Sequence, residues 1–343
     1  MRAFKLSLSI ILLSNLVLIA QVDRSLPPKS GPPPEINFGE PKEFIFDNGI
    51  TLMVVENPKL PRVSVSLRID NPLYLSQDKT GVQSLLGIML GKGSKNISKD
   101  DFEEEIDFMG ASLSFSSSSA SAESLNRYFP RVFEMMADAA LNPNFLTEEF
   151  KKEKDKILEG IKVSKKDVKA AARRVENLLS YGRNHPYGEY ASEKSISRIN
   201  ISDINELYLE RFSPKKAYII VVGDIDFETA QRLTQKYFGN WKKRNVNKST
   251  FENPKNVNQT VIDFVEMPNA VQSEISVLST ARIDKNNTDY YSLLIANQIL
   301  GGGAEARLFL NLREDKGYTY GSYSRYSFNY KTKSRFRAYA SVR

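Results

Sequence analysis

GVQSLLGIMLGKGS, residues 81–94, predicts a helix that packs one apolar stripe against a sheet. Five apolar side chains fall at the i, i+3, i+4, i+7 and i+8 positions of this helix: Val82, Leu85, Leu86, Met89 and Leu90. Gly91 and Gly93 favour a helix terminus at the end of the stretch. A phosphate-binding loop is disfavoured, because no four-residue spacer precedes a Gly-Lys-Ser/Thr sequence.

The residues around this helix predict a sheet with helices packed on one face. Asn48-Gly49 separates the apolar runs 44–46 and 50–55, and an Asn-Gly pair supplies the positive φ that a tight hairpin turn requires. Residues 63–69 alternate as a further strand. Thr147 opens a long helix with acidic residues in its first turn. The serine-rich run at residues 112–121 is interpreted as a strand of small residues.

The chain also repeats itself. Four short matches recur in the same order at offsets between 208 and 214 positions: Val55-Glu56 with Val265-Glu266, Arg68-Ile69-Asp70 with Arg282-Ile283-Asp284, Leu85-Leu86 with Leu293-Leu294, and residues 91–94 with residues 301–304. The repeat predicts two homologous α+β domains, residues 42–241 and 259–343, joined by a linker at residues 242–258. The second copy is much shorter than the first, so we expect it to be incomplete.

The first residues of the chain predict export. Residues 1–20 combine the basic Arg2 and Lys5 with a short apolar run, which is typical of a signal peptide, and an uncleaved membrane anchor is the alternative. Residues 21–41 form a proline-rich leader that is unsuited to a sheet. We expect a periplasmic or cell-surface location. The chain has no cysteine, which excludes disulfides, a thiol nucleophile and a lipid-anchored cysteine.

Composition narrows the function further. The 41% hydrophobic content suits two domains with buried cores. The formal net charge of +7 comes from Lys and Arg residues that are interspersed with Asp and Glu along predicted helices. That pattern is typical of solvated helix faces, so we expect no nucleic-acid partner.

A single histidine limits the chemistry of the chain. Catalytic zinc sites commonly use two His on one helical face with a distant Glu, and His185 has no second His to pair with. A serine triad is also disfavoured, because His185 is the sole possible base and no Gly-x-Ser-x-Gly sequence is present. His185 is therefore interpreted as a hydrogen-bonded loop residue.

The segment 81–94 resembles the zinc-helix segment of the insulinase-like (M16, pitrilysin-type) metallopeptidases, whose consensus is Gly-x-x-His-x-x-Glu-His-Met-x-x-x-Gly-Thr. The resemblance covers residues 44–343 and implies two LuxS/MPP-like domains, the second truncated. It places the two histidine positions at Ser84 and Ile88, the catalytic glutamate position at Gly87 and the distant glutamate ligand at Gly160. The accessory acid of the family survives as Glu153. We expect no metal in this chain.

The resemblance extends to residues 306–320, a segment whose Arg and Tyr complete the active site of such families. Those positions here are Arg307 and Tyr320, with Gly317 providing the turn between them. A Tyr hydroxyl and a guanidinium can both donate to the oxyanion that develops during peptide hydrolysis. A surface Arg and a half-buried sheet Tyr are the structural alternative.

The resemblance implies a non-catalytic subunit of an exported M16-like zinc peptidase, with no independent activity. A zinc-bearing partner in a heterodimer would supply metal and general base, while this chain binds unfolded peptide and supplies Arg307 and Tyr320 in trans. The alternative is a purely structural or peptide-binding protein of the same fold, with no role in proteolysis.

Overall fold

A computed structural model describes residues 31–32 and 40–343 of the chain. The predicted signal peptide at residues 1–20 lies outside the described residues, as does nearly all of the predicted leader at residues 21–41. Residues 41–343 form one compact unit. No helix in the described part of the chain is long and apolar enough to cross a membrane.

The first sheet has six strands in the order β1-β2-β6-β3-β5-β4, and only β2 and β6 run parallel. The strands are β1 (Lys42–Ile45), β2 (Thr51–Glu56), β3 (Arg62–Ile69), β4 (Ser112–Ser116), β5 (Ser119–Leu125) and β6 (Ala217–Gly223). The Asn-Gly hairpin is confirmed, with Gly49 at φ 88°. The serine-rich run forms two strands joined by a turn at Ser117 and Ser118, where the sequence predicted one.

Eight α-helices accompany this sheet in residues 41–240. They are α1 (Val82–Leu90), α2 (Lys99–Met109), α3 (Phe129–Leu141), α4 (Thr147–Ser164), α5 (Val168–Tyr181), α6 (Glu193–Arg198), α7 (Ile201–Arg211) and α8 (Phe227–Phe238). The predicted stripe on α1 is fully or nearly fully buried. Thr147 begins α4 as predicted, with Phe150 buried and two acidic residues in the first turn.

The hydrophobic core lies between the first sheet and its helices. Its members run from Phe46 to Phe238, and Leu52, Leu67 and Phe133 have no exposed surface. Burial of a side chain of this size stabilises a fold by roughly 1.5–3 kcal/mol. The elements β1 to α8 therefore form a well-packed lobe, which we call the first lobe.

The second lobe repeats part of the first. Its strands are β7 (Ser273–Ala281), β8 (Thr319–Ser327) and β9 (Ser334–Val342). Between β7 and β8 lie α9 (Tyr290–Gly301) and a helical segment in which α10 (Arg307–Phe309) continues into a π-helix (Leu310–Asp315). Its antiparallel order β7-β9-β8 matches the order β3-β5-β4, and helices follow both β3 and β7 along the chain. This match confirms the predicted α+β duplication. The Val265-Glu266 repeat, by contrast, is not part of a strand.

The two lobes are joined by buried polar contacts. Helix α5 packs against β7, where the Glu176 carboxylate accepts hydrogen bonds from Arg337 Nη2 at 2.8 Å and Ser276 Oγ at 2.5 Å. The loop between β8 and β9 places Thr332 Oγ1 2.9 Å from Nε2 of the fully buried His185. His185 stacks on Tyr181, and burial lowers its pKa. The interpretation of His185 as a hydrogen-bonded loop residue is confirmed.

Candidate functional site

Three of the four positions that the sequence matched to a metal site lie on α1. Ser84 is exposed and Ile88, one turn later, is half-buried, while Gly87 faces the interior. Gly81 precedes the helix with φ 110°, a conformation that favours glycine. The helix therefore keeps the geometry that would present positions 84 and 88 on one face. It presents a hydroxyl and an alkyl group there.

Gly87 marks where α1 packs directly on the main chain of the β4–β5 turn. A Cβ atom at this position would lie 2.9 Å from Ser116 Cα and 3.2 Å from Ser117 N. Backbone atoms of a paired hairpin move away less readily than the end of a flexible side chain. A glutamate is consequently excluded at position 87 unless the turn shifts.

We expect Gly87→Ala to lower the free energy of unfolding by about 1–3 kcal/mol, because the added methyl group overpacks a backbone contact. Gly160→Ala is the matched control: Gly160 is exposed on α4, with nothing within 4 Å of a Cβ. Ala in an exposed helix interior should raise stability by about 0.5–1 kcal/mol. Urea unfolding measures both. An unchanged or more stable Gly87→Ala protein contradicts the close contact.

Glu153, the predicted surviving acid, is bound by two lysines. Glu153 is 6% exposed, and its carboxylate accepts from Lys92 Nζ at 3.0 Å and Lys156 Nζ at 2.9 Å. Lys92 follows α1, so this ion pair ties α1 to α4. Burial alone would raise the pKa of Glu153, but the hydrogen bonds from Lys156 and Lys92 outweigh it and lower the pKa.

The residues at these positions do not fit zinc. Ser84, Gly87, Ile88 and Gly160 offer one hydroxyl oxygen among their side chains, and zinc in proteins takes His, Cys or carboxylate ligands. The Glu153 carboxylate is occupied by lysines. Over residues 31–32 and 40–343, no group of three or more His, Cys, Asp or Glu could hold a metal ion. We therefore derive no chemical step through a metal held by this chain.

The Glu153 ion pairs predict a pH dependence of stability. A carboxyl with a lowered folded-state pKa contributes stability above its ordinary pKa of 4.5 and loses it as the pH falls through the folded-state value. Glu153→Gln should therefore cost about 1–3 kcal/mol at neutral pH, because charged hydrogen bonds are lost. The difference from wild type should shrink in acid. A difference that stays constant from neutral pH to well below 4.5 contradicts the ion-pair role.

Strand β4 forms an edge of the first sheet, next to α1. Among the described strands it pairs only with β5, and its C-terminal residue Ser116 lies against Gly87. The two-residue turn makes Ser116 and Ser119 a hydrogen-bonded pair. In an antiparallel pair every second residue directs its backbone N–H and C=O groups away from the partner strand, so those of Leu113 and Phe115 point to the free edge. An extended peptide can add to such an edge.

Arg307 and Tyr320 lie on elements of the second lobe that pack against each other. Tyr320 is 88% exposed on β8, and Arg307 is exposed at the start of α10. Gly317 provides the predicted turn, with φ 64°. The guanidinium next to Tyr320 is that of Arg313, whose Cζ is 5.0 Å from the Tyr320 ring and 4.8 Å from the Phe309 ring.

The sequence does not single out Arg313 as the arginine beside Tyr320. Arg307 and Arg313 are six positions apart in the same segment, and residue type alone does not distinguish them. The turn at Gly317 brings β8 back over the end of the helical segment, which carries Arg313 and not Arg307. Arg313 lies only a few positions before the Gly317 turn and β8, and this short spacing is the sequence feature that indicates a contact with Tyr320.

Comparisons with known proteins match almost the whole described chain. Residues 52–189 match the family model described as insulinase (peptidase family M16), and residues 198–343 match the model described as peptidase M16 inactive domain. The zinc protease YmxG of Bacillus subtilis is 23% identical over 83% of this chain and 70% of its own length.

Two further similarities concern a subunit and a fold. The mitochondrial-processing peptidase subunit alpha of Solanum tuberosum is 27% identical over 48% of this chain, which spans 33% of that subunit. A peptidase M16 inactive domain from Pseudomonas fluorescens superimposes with a TM-score of 0.79 at 23% identity, over 89% of this chain and 74% of that one. This last likeness is one of fold.

Proposed function

Since the chain belongs to the insulinase peptidase family M16, we propose that it is a non-catalytic subunit that binds unfolded peptide for a zinc-bearing partner of the same family. The partner would form a heterodimer with this chain and would supply the metal and the general base. Relatives named as subunits of a processing peptidase support a paired arrangement.

The observation that carries this proposal is the open edge of β4 beside a helix without metal ligands. Leu113 and Phe115 offer backbone groups at that edge that pair with no other strand in the described part of the chain, and Ser116 ends the strand against α1. A peptide added to β4 would pass positions 84 and 88, which offer one hydroxyl and no base. The arrangement supports binding without cleavage.

Tyr320 and a neighbouring arginine would act on the partner's substrate. The Tyr320 side chain is exposed, and its ring lies against the half-buried Arg313 guanidinium, whose Nε is 3.5 Å from Glu314 Oε1. A Tyr hydroxyl aimed at a developing oxyanion stabilises the transition state, and an arginine beside it adds charge. Arg307, the arginine assigned from the sequence, lies on the same segment and remains a second candidate.

Export belongs to the proposal as well. The basic and apolar residues 1–20 support a signal peptide, and a periplasmic or cell-surface location follows from it. Intact mass of the protein from fractionated cells tests this step. We expect a mature chain that lacks the first residues in the exported fraction, and a full-length chain in the cytosol contradicts export.

Peptide addition to β4 is tested with N-methylated peptides, which leave the protein unchanged. A short neutral peptide is made in three forms: unmodified, N-methylated at odd residues, and N-methylated at even residues. We expect calorimetry to show binding of the unmodified form. One methylated form should bind comparably, since its methyl groups point away from β4, and the other should not bind.

The outcome separates this function from a purely structural one. Equal binding of both methylated forms means that the peptide does not pair with β4. Absence of binding by all three forms removes the peptide-binding function and leaves a structural protein of the same fold. A peptide of identical composition made of D-residues serves as the control for non-specific association.

A further inference from the structure

A cavity of ≈ 200 Å³ lies at the end of β4, where the chain turns through Ser117 and Ser118. Its walls also include Gln83 of α1, Tyr187 of the His185 turn, and Lys331 of the second lobe. Pockets for drug-sized ligands are larger, roughly 300–1,000 Å³. The cavity has room for one residue of a peptide. It lies next to Ser84, one of the α1 positions that the sequence matched to a metal site.

Arg211 gives this cavity a buried positive charge. The side chain is at the end of α7, lines the cavity and is 4% exposed. Nη1 donates to the Asn247 carbonyl at 3.2 Å and Nη2 to the Pro72 carbonyl, and the guanidinium lies 5.1 Å from the Tyr74 ring. Burial lowers the pKa of Arg211. These partners are all uncharged.

The hydrogen-bond acceptors of the Arg211 guanidinium in the described residues are carbonyl oxygens, and the carboxylate of the adjacent Glu210 acts on it through charge alone. The other cation of the cavity, Lys331, is already paired: its Nζ lies 2.7 Å from Asp70 Oδ1 and donates to the Asn71 carbonyl at 2.6 Å. A buried charge is costly unless an opposite charge accompanies it. A guanidinium has five N–H donors, and the protein uses two of them here.

We propose that this cavity binds a carboxylate group of the peptide, held by Arg211. The inference rests on the proposed function, because it assigns a substrate class to the same site. That class is peptides that carry a carboxylate at the residue that reaches the Ser117 turn. A guanidinium binds a carboxylate through parallel N–H donors, which gives geometric selection as well as charge. The Tyr74 ring packs against the guanidinium, and Lys331 lines the same cavity.

The carboxylate has two possible sources, and the direction of the peptide distinguishes them. A peptide that runs parallel to β4 places its C-terminus near Ser116 and the cavity, so the terminal carboxylate enters. An antiparallel peptide places its N-terminal residues there, so an Asp or Glu side chain enters. The chemistry at Arg211 is the same in both cases.

Three acetylated peptides of one backbone sequence test the proposal by calorimetry with the full chain. The first is neutral with a C-terminal amide, the second has a free C-terminal carboxylate, and the third is amidated with one Glu near its N-terminus. We expect the second or the third to bind about 10- to 100-fold more tightly than the first, the range for hydrogen bonds to a charged group.

Two variants locate the effect. Arg211→Lys keeps the charge but loses the planar fork, and it should reduce the carboxylate preference. Gln83→Trp narrows the cavity from α1, outside β4 and its turn, and leaves the carbonyl partners of Arg211 in place. It should reduce the carboxylate preference while the neutral peptide still binds. The second variant covers the case in which Arg211→Lys does not fold.

The result that overturns the proposal is equal affinity of the wild-type chain for all three peptides. A preference that survives unchanged in the Gln83→Trp protein overturns it as well, since the carboxylate then binds elsewhere. Binding of the neutral peptide reports on β4 alone, so failure at Arg211 is distinguishable from failure of the proposed function.

Discussion

Replacing Tyr320 by Phe is expected to lower turnover by the complex with a zinc-bearing partner by about 10² to 10³, the usual cost of one oxyanion donor. The hydroxyl would act only on the transition state, so KM and complex formation should change little. Tyr320 is 88% exposed, so Phe at this position removes the hydroxyl without disturbing a core. Steady-state kinetics at matched complex concentration measures the effect.

Two arginine variants serve as matched companions to Tyr320→Phe. Arg313 lies against the Tyr320 ring, and we expect Arg313→Ala to reduce turnover because it removes the adjacent guanidinium. Arg307→Ala tests the assignment made from the sequence, which predicts weaker turnover and weaker peptide binding. Full activity of Tyr320→Phe and of both arginine variants, in complexes that assemble, would falsify the in-trans mechanism.

Arg337→Met has the largest expected effect on stability. It removes the cation that faces the Glu176 carboxylate, whose side chain is 5% exposed at the contact between the lobes. Breaking a buried ion pair from one side typically costs about 3–5 kcal/mol, because the remaining charge is buried without a partner. Arg337 also lies 3.9 Å from the Tyr339 ring, a packing contact that Met partly preserves. Urea unfolding measures the loss.

The double variant Glu176→Gln with Arg337→Met is the control for that experiment. It removes both charges, so most of the stability should return if the buried charge is responsible. The contact also matters for function, because β9 carries Arg337 and pairs with β8, the strand of Tyr320. An Arg337→Met protein within about 1 kcal/mol of wild type contradicts a buried, energetically important contact.

Local elements of the fold were predictable because their signals are local. The Asn48-Gly49 turn fixes β1 and β2, and the apolar period of residues 82–90 fixes α1 and its buried face. The serine-rich run at residues 112–121 likewise indicated strand structure, although it forms two strands and not one. These features depend on neighbours within a few residues.

Long-range contacts were not predictable from patterns. His185 meets Thr332 across 147 positions, and no spacing rule connects them. The same is true of Arg211, whose carbonyl partners come from separate loops. The resemblance matches Gly87 to the catalytic glutamate position, but only the structure shows Ser116 closing the space there. Stacking of Arg313 on Tyr320 likewise required the observed turn.

Reconstituted peptide hydrolysis tests the central claim most directly. Three tag-free samples are compared: this chain, a His-x-x-Glu-His-bearing family member from the same genome, and their mixture, each dialysed against a mild chelator and analysed for zinc. We predict that this chain retains no stoichiometric zinc and cleaves nothing, and that the mixture cleaves unfolded peptide faster than the partner alone. One zinc per chain together with hydrolysis by this chain alone would contradict the account.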